Sequence, residues 1–210
     1  MLTQSPARTD YRVVVVAYLT FVALGLPGGL LGVAWPSIRD TFGVTAADFG
    51  TLLFTGTVGY LIAGLFNGRI VSRLGIGPAL LLASAISAVG LAGFAVAPGW
   101  WFLIFVGVIL GLGQGIVDAG VNLHFASNYT PRLMNWLHAS FGLGAAFGPL
   151  LMTGLFALDQ DWRVGYTIMA AIQVGLIIIF MTTLNRWQIQ ISPDSGDVNP
   201  AAPAIIESLR

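Results

Sequence analysis

Residues Gln114–Pro149 read QGIVDAGVNLHFASNYTPRLMNWLHASFGLGAAFGP. Two apolar, glycine-rich runs flank a short basic turn, and Gln114, Asp118, Asn122, Asn135 and His138 interrupt them at helical intervals. Each run has the length and hydropathy of half or more of a membrane crossing, which takes about 20 apolar residues for a core of about 30 Å. The turn near residue 129 then joins the end of one spanning helix to the start of the next. Thr130 and Pro131 mark that start, with Thr as expected N-cap and Pro at the first helical position. Ionisable groups inside a bilayer are costly, so they mark a pathway, a pair or a packing contact.

The rest of the chain extends the pattern. Over 210 residues the apolar set makes up 56% and the charged set 9%, with mean hydropathy +0.84, which places the chain among membrane proteins rather than soluble domains. Six spans are expected at about 12–36, 46–67, 78–97, 101–126, 131–157 and 162–185. The domain reading is a cytoplasmic segment 1–11, a six-helix domain 12–187 and a polar, Pro-rich tail 188–210 with too little apolar content to fold alone. The first span is expected to be retained rather than cleaved as a leader. Trp35, Trp100, Trp101, Trp136, Trp162 and Trp187 all fall near span ends, where interfacial aromatics collect.

All nine basic residues are arginine, and their distribution sets orientation. With the N-terminus inside, Arg8, Arg12, Arg69, Arg73, Arg132, Arg186 and Arg210 lie inside and only Arg39 and Arg163 outside, so both termini are expected in the cytoplasm. There is no cysteine, and His124 and His138 lack the companions of a metal site, so no metal or other cofactor is expected. No basic arm for nucleic acid is visible.

Small residues four apart let membrane helices approach closely. Gly25/Gly29, Gly28/Gly32, Gly64/Gly68, Gly107/Gly111/Gly115 and Gly144/Gly148 have that spacing, and Pro149 comes directly after the last. Pro27 removes a hydrogen bond within the first span and is expected to kink it.

The segment 68–78, GRIVSRLGIGP, reads as a short basic loop between the second and third spans. It resembles the second-to-third loop of the major facilitator superfamily. Gly68, Arg73 and Gly75 match that signature; Ser72 stands where the family has an acid, and Gly77 and Pro78 replace later basic positions. In the family the motif's charges latch two six-helix halves together. A basic loop that obeys the positive-inside rule is the competing reading. The end of the first span and the residues after it, GLLGVAWPSIRDTFGVTAADFGTLL, resemble the family in the order of their Gly-rich helix, outer Pro and Phe-Gly loop.

Gln114, Asp118 and Asn122 recur every four residues and share one face of the fourth span. Asn135 and His138 share a face of the fifth. Counting from the turn, Asp118 and His138 lie at one depth and Asn122 and Asn135 at another, so antiparallel neighbours would bring Asp118 to His138. Such a pair exchanges a proton, since each group alters the other's proton affinity. Alternatively, the four residues form a satisfied hydrogen-bond network that fixes one helix against the other.

The run from Arg132 to Pro149, with Asn-x-Leu-His, Phe-Gly-x-Gly-Ala and Gly-Pro, resembles the fucose/sugar:proton symporter branch of the superfamily. The resemblance implies a proton-coupling role for Asp118, with Asn122, Asn135 and His138 near the solute or coupling site. Gln173 is a further candidate for a solute hydrogen bond, and Trp35 and Tyr60 for stacking on a sugar ring. More prosaic roles for them are helix packing and interface anchoring. The first span lacks the acidic residue that fucose permease carries there.

The expected fold is all-α: a six-helix membrane bundle of two inverted three-helix units, like the N-terminal half of a major facilitator transporter. Its expected function is proton-linked or passive movement of a small polar, sugar-like solute across a cell (inner) membrane. It would act as a homodimer or with a complementary half, with helices one and four lining the cavity. The alternative is a non-transporting subunit of a larger membrane complex. No nucleophile–base pair is present, so catalysis is not expected.

Overall fold

The computed structural model describes residues 9–187. They form six long helices and no strand: α1 Tyr11–Phe42, α2 Asp48–Leu74, α3 Ile76–Val96, α4 Trp100–Asn128, α5 Pro131–Ala157 and α6 Trp162–Thr183, closed by a 3₁₀ turn Leu184–Arg186. All six are long and apolar enough to cross a bilayer. The expected tail 188–210 lies outside the described residues.

Two boundaries differ from the sequence expectation. α1 continues past Pro36 to Phe42, because its last turns have a partner: Ile38 is fully buried, and Phe42 meets Trp162 at 6.1 Å between ring centroids. The helix is also unbroken through Pro27. The expected loop 68–78 is mostly helix. Asn67 and Val71 are buried, so α2 is held to Leu74, and Gly75 alone joins it to α3. Gly75 has φ +81° and donates its N–H to the Val71 carbonyl at 2.8 Å, a conformation that favours glycine.

Packing is set by the small residues. The most extensive interfaces are α1 with α5, α2 with α4, α3 with α4, α3 with α6, and α1 with α6. Exchanging α1–α3 for α4–α6 maps this set onto itself: α1·α5 becomes α4·α2, α1·α6 becomes α4·α3, and α3·α6 is unchanged. Three crossings separate equivalent helices, so the two units run in opposite directions through the membrane. The fold is thus two inverted three-helix units.

The two equivalent seams use one device. A Cβ on Gly144 would collide with the Val22 carbonyl, and one on Gly148 with that of Leu26, while Gly25 and Gly29 press on the Phe141 and Ala145 carbonyls and on Pro149. Across α2·α4, a Cβ on Gly111 would strike the Gly56 carbonyl; on Gly107 it would lie 2.9 Å from Thr55 Oγ1, and on Gly115 2.7 Å from Ala63 Cβ. By contrast, a Cβ at Gly28, Gly32, Gly64 or Gly68 would meet nothing within 4 Å. These two expected packing pairs face open space, because spacing alone does not say which side of a helix has a neighbour.

Six helices leave two apolar clusters, one at each end of the bundle. Phe21, Phe125, Phe180 and Trp187 centre the first; Leu30, Trp35, Trp162 and Tyr166 centre the second. Only some tryptophans therefore point outward. Trp101 is 78% and Trp136 58% exposed, whereas Trp35, Trp162 and Trp187 are buried. Trp162 Nε1 donates to Thr41 Oγ1 at 3.2 Å and Trp187 Nε1 to Thr183 Oγ1 at 3.1 Å, which satisfies their N–H groups inside the bundle. His124 is also buried, 5.0 Å from the Trp187 ring.

One end of the bundle closes on Asp10. Arg186 bonds Asp10 at 2.9 Å, and the Tyr129 hydroxyl donates to the Asp10 carbonyl at 3.4 Å. The start of α1, the α4–α5 turn and the end of α6 thus share one side, as six crossings require. The Arg186 guanidinium holds the Asp10 carboxyl below its ordinary value. Burial, then the charge of Asp10, pushes the Tyr129 phenol up to about 12, so it stays a neutral donor. Thr130 occupies the N-cap of α5 and Pro131 its first turn, yet the Thr130 side chain makes no capping bond; its carbonyl accepts from Leu133 and Met134 instead.

Candidate solute cleft

One face of α4 carries Gly107, Gly111, Gln114, Asp118 and Asn122. From Gly107 to Asn122 the rise is about 22 Å, at about 1.5 Å per residue, most of a membrane's apolar thickness. Two cavities lie along this face. One of about 280 Å³, toward the α1–α2 loop, is lined by residues including Pro27, Leu31, Leu52, Leu53, Phe94, Leu110 and Tyr166. The other, of about 500 Å³ toward the α4–α5 turn, is lined by Phe21, Leu24, Gly25, Asp118, Asn122, His138 and Phe141. Gly28, Tyr60 and Gln114 line both, so the two are chambers of one cleft. The chambers take α1 and α4 as walls, as expected, and α2 as a third; α5 adds His138 and Phe141 to one, and α3 and α6 add Phe94 and Tyr166 to the other.

Among the described residues Asp118 is the only carboxylate lining the cleft, and both its oxygens are engaged. The Tyr60 hydroxyl, from α2, donates to Oδ2 at 2.5 Å, and the Asn122 amide donates to Oδ1 and to the Asp118 carbonyl, each at 3.0 Å. Tyr60 is placed by the glycine seam. Its backbone lies against Gly115, where a Cβ would come within 3.1 Å of Tyr60 Cα, and the ring reaches one turn further to Asp118. The Asn122 Oδ1 is buried with no donor.

His138 does not pair with Asp118. It faces the same chamber from α5, exposed, with its ring edge-on to Phe21 at 6.0 Å; no ion pair joins the two among the described residues. α4 and α5 are neighbours in sequence, but α4 packs against α2 and α3, while α5 packs against α1. Asn135 is exposed and outside the cleft lining, so its expected meeting with Asn122 does not occur.

The remaining candidates divide. Gln173 is buried on α6 behind Gln114, beside a cavity of about 10 Å³ shared with Thr20 and Ser87 and too small for a solute. Trp35 packs on Phe49 and Trp100, at 5.1 and 6.1 Å between centroids, and lines neither chamber. Gly68 and Arg73 are exposed on the last turns of α2, and among the described residues Arg73 has no ion-pair partner. Tyr60, expected to stack on a sugar ring or pack in the core, instead ties α2 to Asp118, a bond with no local signal in an apolar helix. Its partner lies 58 positions away.

The sequence profile of the Major Facilitator Superfamily matches residues 17–205. The chain belongs to the major facilitator superfamily. Similar proteins include Bypass of stop codon protein 6 of Saccharomyces cerevisiae, 27% identical over 80% of this chain and 34% of its own length. The glucose/mannose transporter GlcP of Bacillus subtilis is 26% identical over 77% of this chain and 41% of its own length. The arabinose-proton symporter of Escherichia coli is 25% identical over 86% and 39%. This superfamily member thus spans about a third to two fifths of the length of these relatives. Its inverted units, glycine seams and polar α4 row sit inside the matched region.

Proposed function

We propose that this six-helix unit moves a small polar, sugar-like solute across a cell membrane by alternating access, facing a second six-helix unit that is either another copy or a complementary half. The observation that carries the reading is the Gln114–Asp118–Asn122 row on a cleft running along the helix axes. A carboxylate inside an apolar bundle is costly even when hydrogen-bonded, and one that lines a cleft marks a solute or proton pathway. Asp118 is its proton-coupling group, with His138 across the same chamber; Gln114 and Asn122 supply solute hydrogen bonds.

α2 and α5 are the least buried spans, with 17% and 22% of their apolar windows covered, and Leu61, Leu65, Leu143 and Leu150 project from them. A facing unit would cover these side chains and close the cleft. Relatives named for glucose, mannose and arabinose favour a sugar-like solute. The cytoplasmic placement of both termini, in an inner membrane, rests on the arginine distribution. The rival reading, a non-transporting subunit, draws on Ser72 and on Arg73, which has no ion-pair partner among the described residues. The test is a pair of measurements: native mass in mild detergent, and solute exchange in liposomes. A homodimer with saturable exchange supports transport; co-purification with unrelated subunits and no exchange supports the subunit reading.

A further inference from the structure

The two chambers differ in chemistry. The one toward the α1–α2 loop is walled by Leu31, Leu52, Leu53, Phe94 and Leu110, and its own polar atoms are few, chiefly the Thr57 hydroxyl and a buried Tyr166 hydroxyl without a partner. A solute that placed a ring of hydroxyls there would leave most of them without hydrogen bonds. The other chamber holds Asp118, Asn122 and, from α5, His138, with Gln114 and Tyr60 at the waist between the two. Around Asp118 and Asn122 the unused capacity is for donors: the Asn122 amide oxygen is buried and unpaired, and Asp118 only accepts. Among the described residues no arginine lines either chamber, and His138, the one basic side chain there, stands on the α5 wall while Asp118 stands on α4, so a carboxylate beside Asp118 would meet its like charge.

We infer that the solute is amphipathic, with an apolar body in the leucine-lined chamber and an uncharged or cationic hydrogen-bond-donating end at Asp118 and Asn122. This deepens the transport reading and rests on it. Sugar hydroxyls suit only the second chamber, and a molecule spanning the waist at Tyr60 uses both.

Matched probes separate the two parts of the claim. The full chain in lipid nanodiscs is titrated calorimetrically with glucose, phenyl β-glucoside, phenethylamine and 3-phenylpropionate. Phenyl glucoside is expected to bind roughly ten-fold tighter than glucose, and phenethylamine roughly ten-fold tighter than phenylpropionate. Leu53→Ser, at an exposed position of the apolar chamber, should erase the first preference, and Asp118→Asn the second. Equal binding of each pair, binding of none, preferences that survive both substitutions, or uptake by empty nanodiscs alone overturns the inference. Binding is read without transport. Failure of exchange in liposomes therefore leaves the amphipathic preference standing, and sugar exchange with no gain from the phenyl group leaves transport standing and overturns this.

Discussion

Asp118 and Tyr60 set the chemistry of the cleft. A hydrogen bond to a charged group contributes about 1.5–3 kcal/mol, and the Tyr60 residue is 41% exposed, which argues for the lower end. Tyr60→Phe keeps the ring and removes the donor, so it should lower unfolding stability in mild detergent by about 1 to 2 kcal/mol; an unchanged unfolding midpoint would show that the bond contributes nothing. Asp118→Asn should leave the protein folded and inserted while abolishing proton-driven uptake, and wild-type uptake in that variant would remove Asp118 from the coupling role. At this scale the sequence was half legible. An acid flanked by two amides at four-residue spacing marks a face, but its partner was sought on the next helix in sequence, where His138 stands, and lay instead on α2.

Helix seams explain why that partner was misplaced. Spacing of four identifies glycines that can pack, whereas only the three-dimensional arrangement decides which do. Gly111 lies against the Gly56 backbone, which cannot give way, and Gly64 faces open space. Gly111→Ala should therefore cost about 1–3 kcal/mol through overpacking, and Gly64→Ala should be neutral or stabilising by up to about 1 kcal/mol through helix propensity. Comparing their unfolding in the same detergent checks this; equal effects would refute the seam. The six spans were legible because hydropathy and length suffice for them. The helical course of residues 68–74 was not, because a polar, glycine-flanked stretch reads as loop until the burial of Asn67 and Val71 is known.

At the scale of the whole bundle, Asp10 and Arg186 tie its first helix to its last. Because the Asp10 value is depressed by folding, its contribution is present above the ordinary carboxylate range near pH 4 and fades as pH falls through the lower folded value. Arg186→Gln should thus destabilise by less than about 1 kcal/mol at pH 6, and the difference should shrink as pH falls below the ordinary carboxylate range; a difference that grows on acidification would contradict the assignment. The inverted units, by contrast, had only the family resemblance behind them until the interface set was seen to map onto itself. The central claim is that the cleft carries a solute, and exchange of radiolabelled glucose and arabinose by the purified protein in liposomes tests it most directly. Saturable exchange, driven uphill by an inward proton gradient and losing that drive in Asp118→Asn, is the predicted result. Flux no greater than in protein-free liposomes, for these sugars and for phenyl β-glucoside alike, would contradict it.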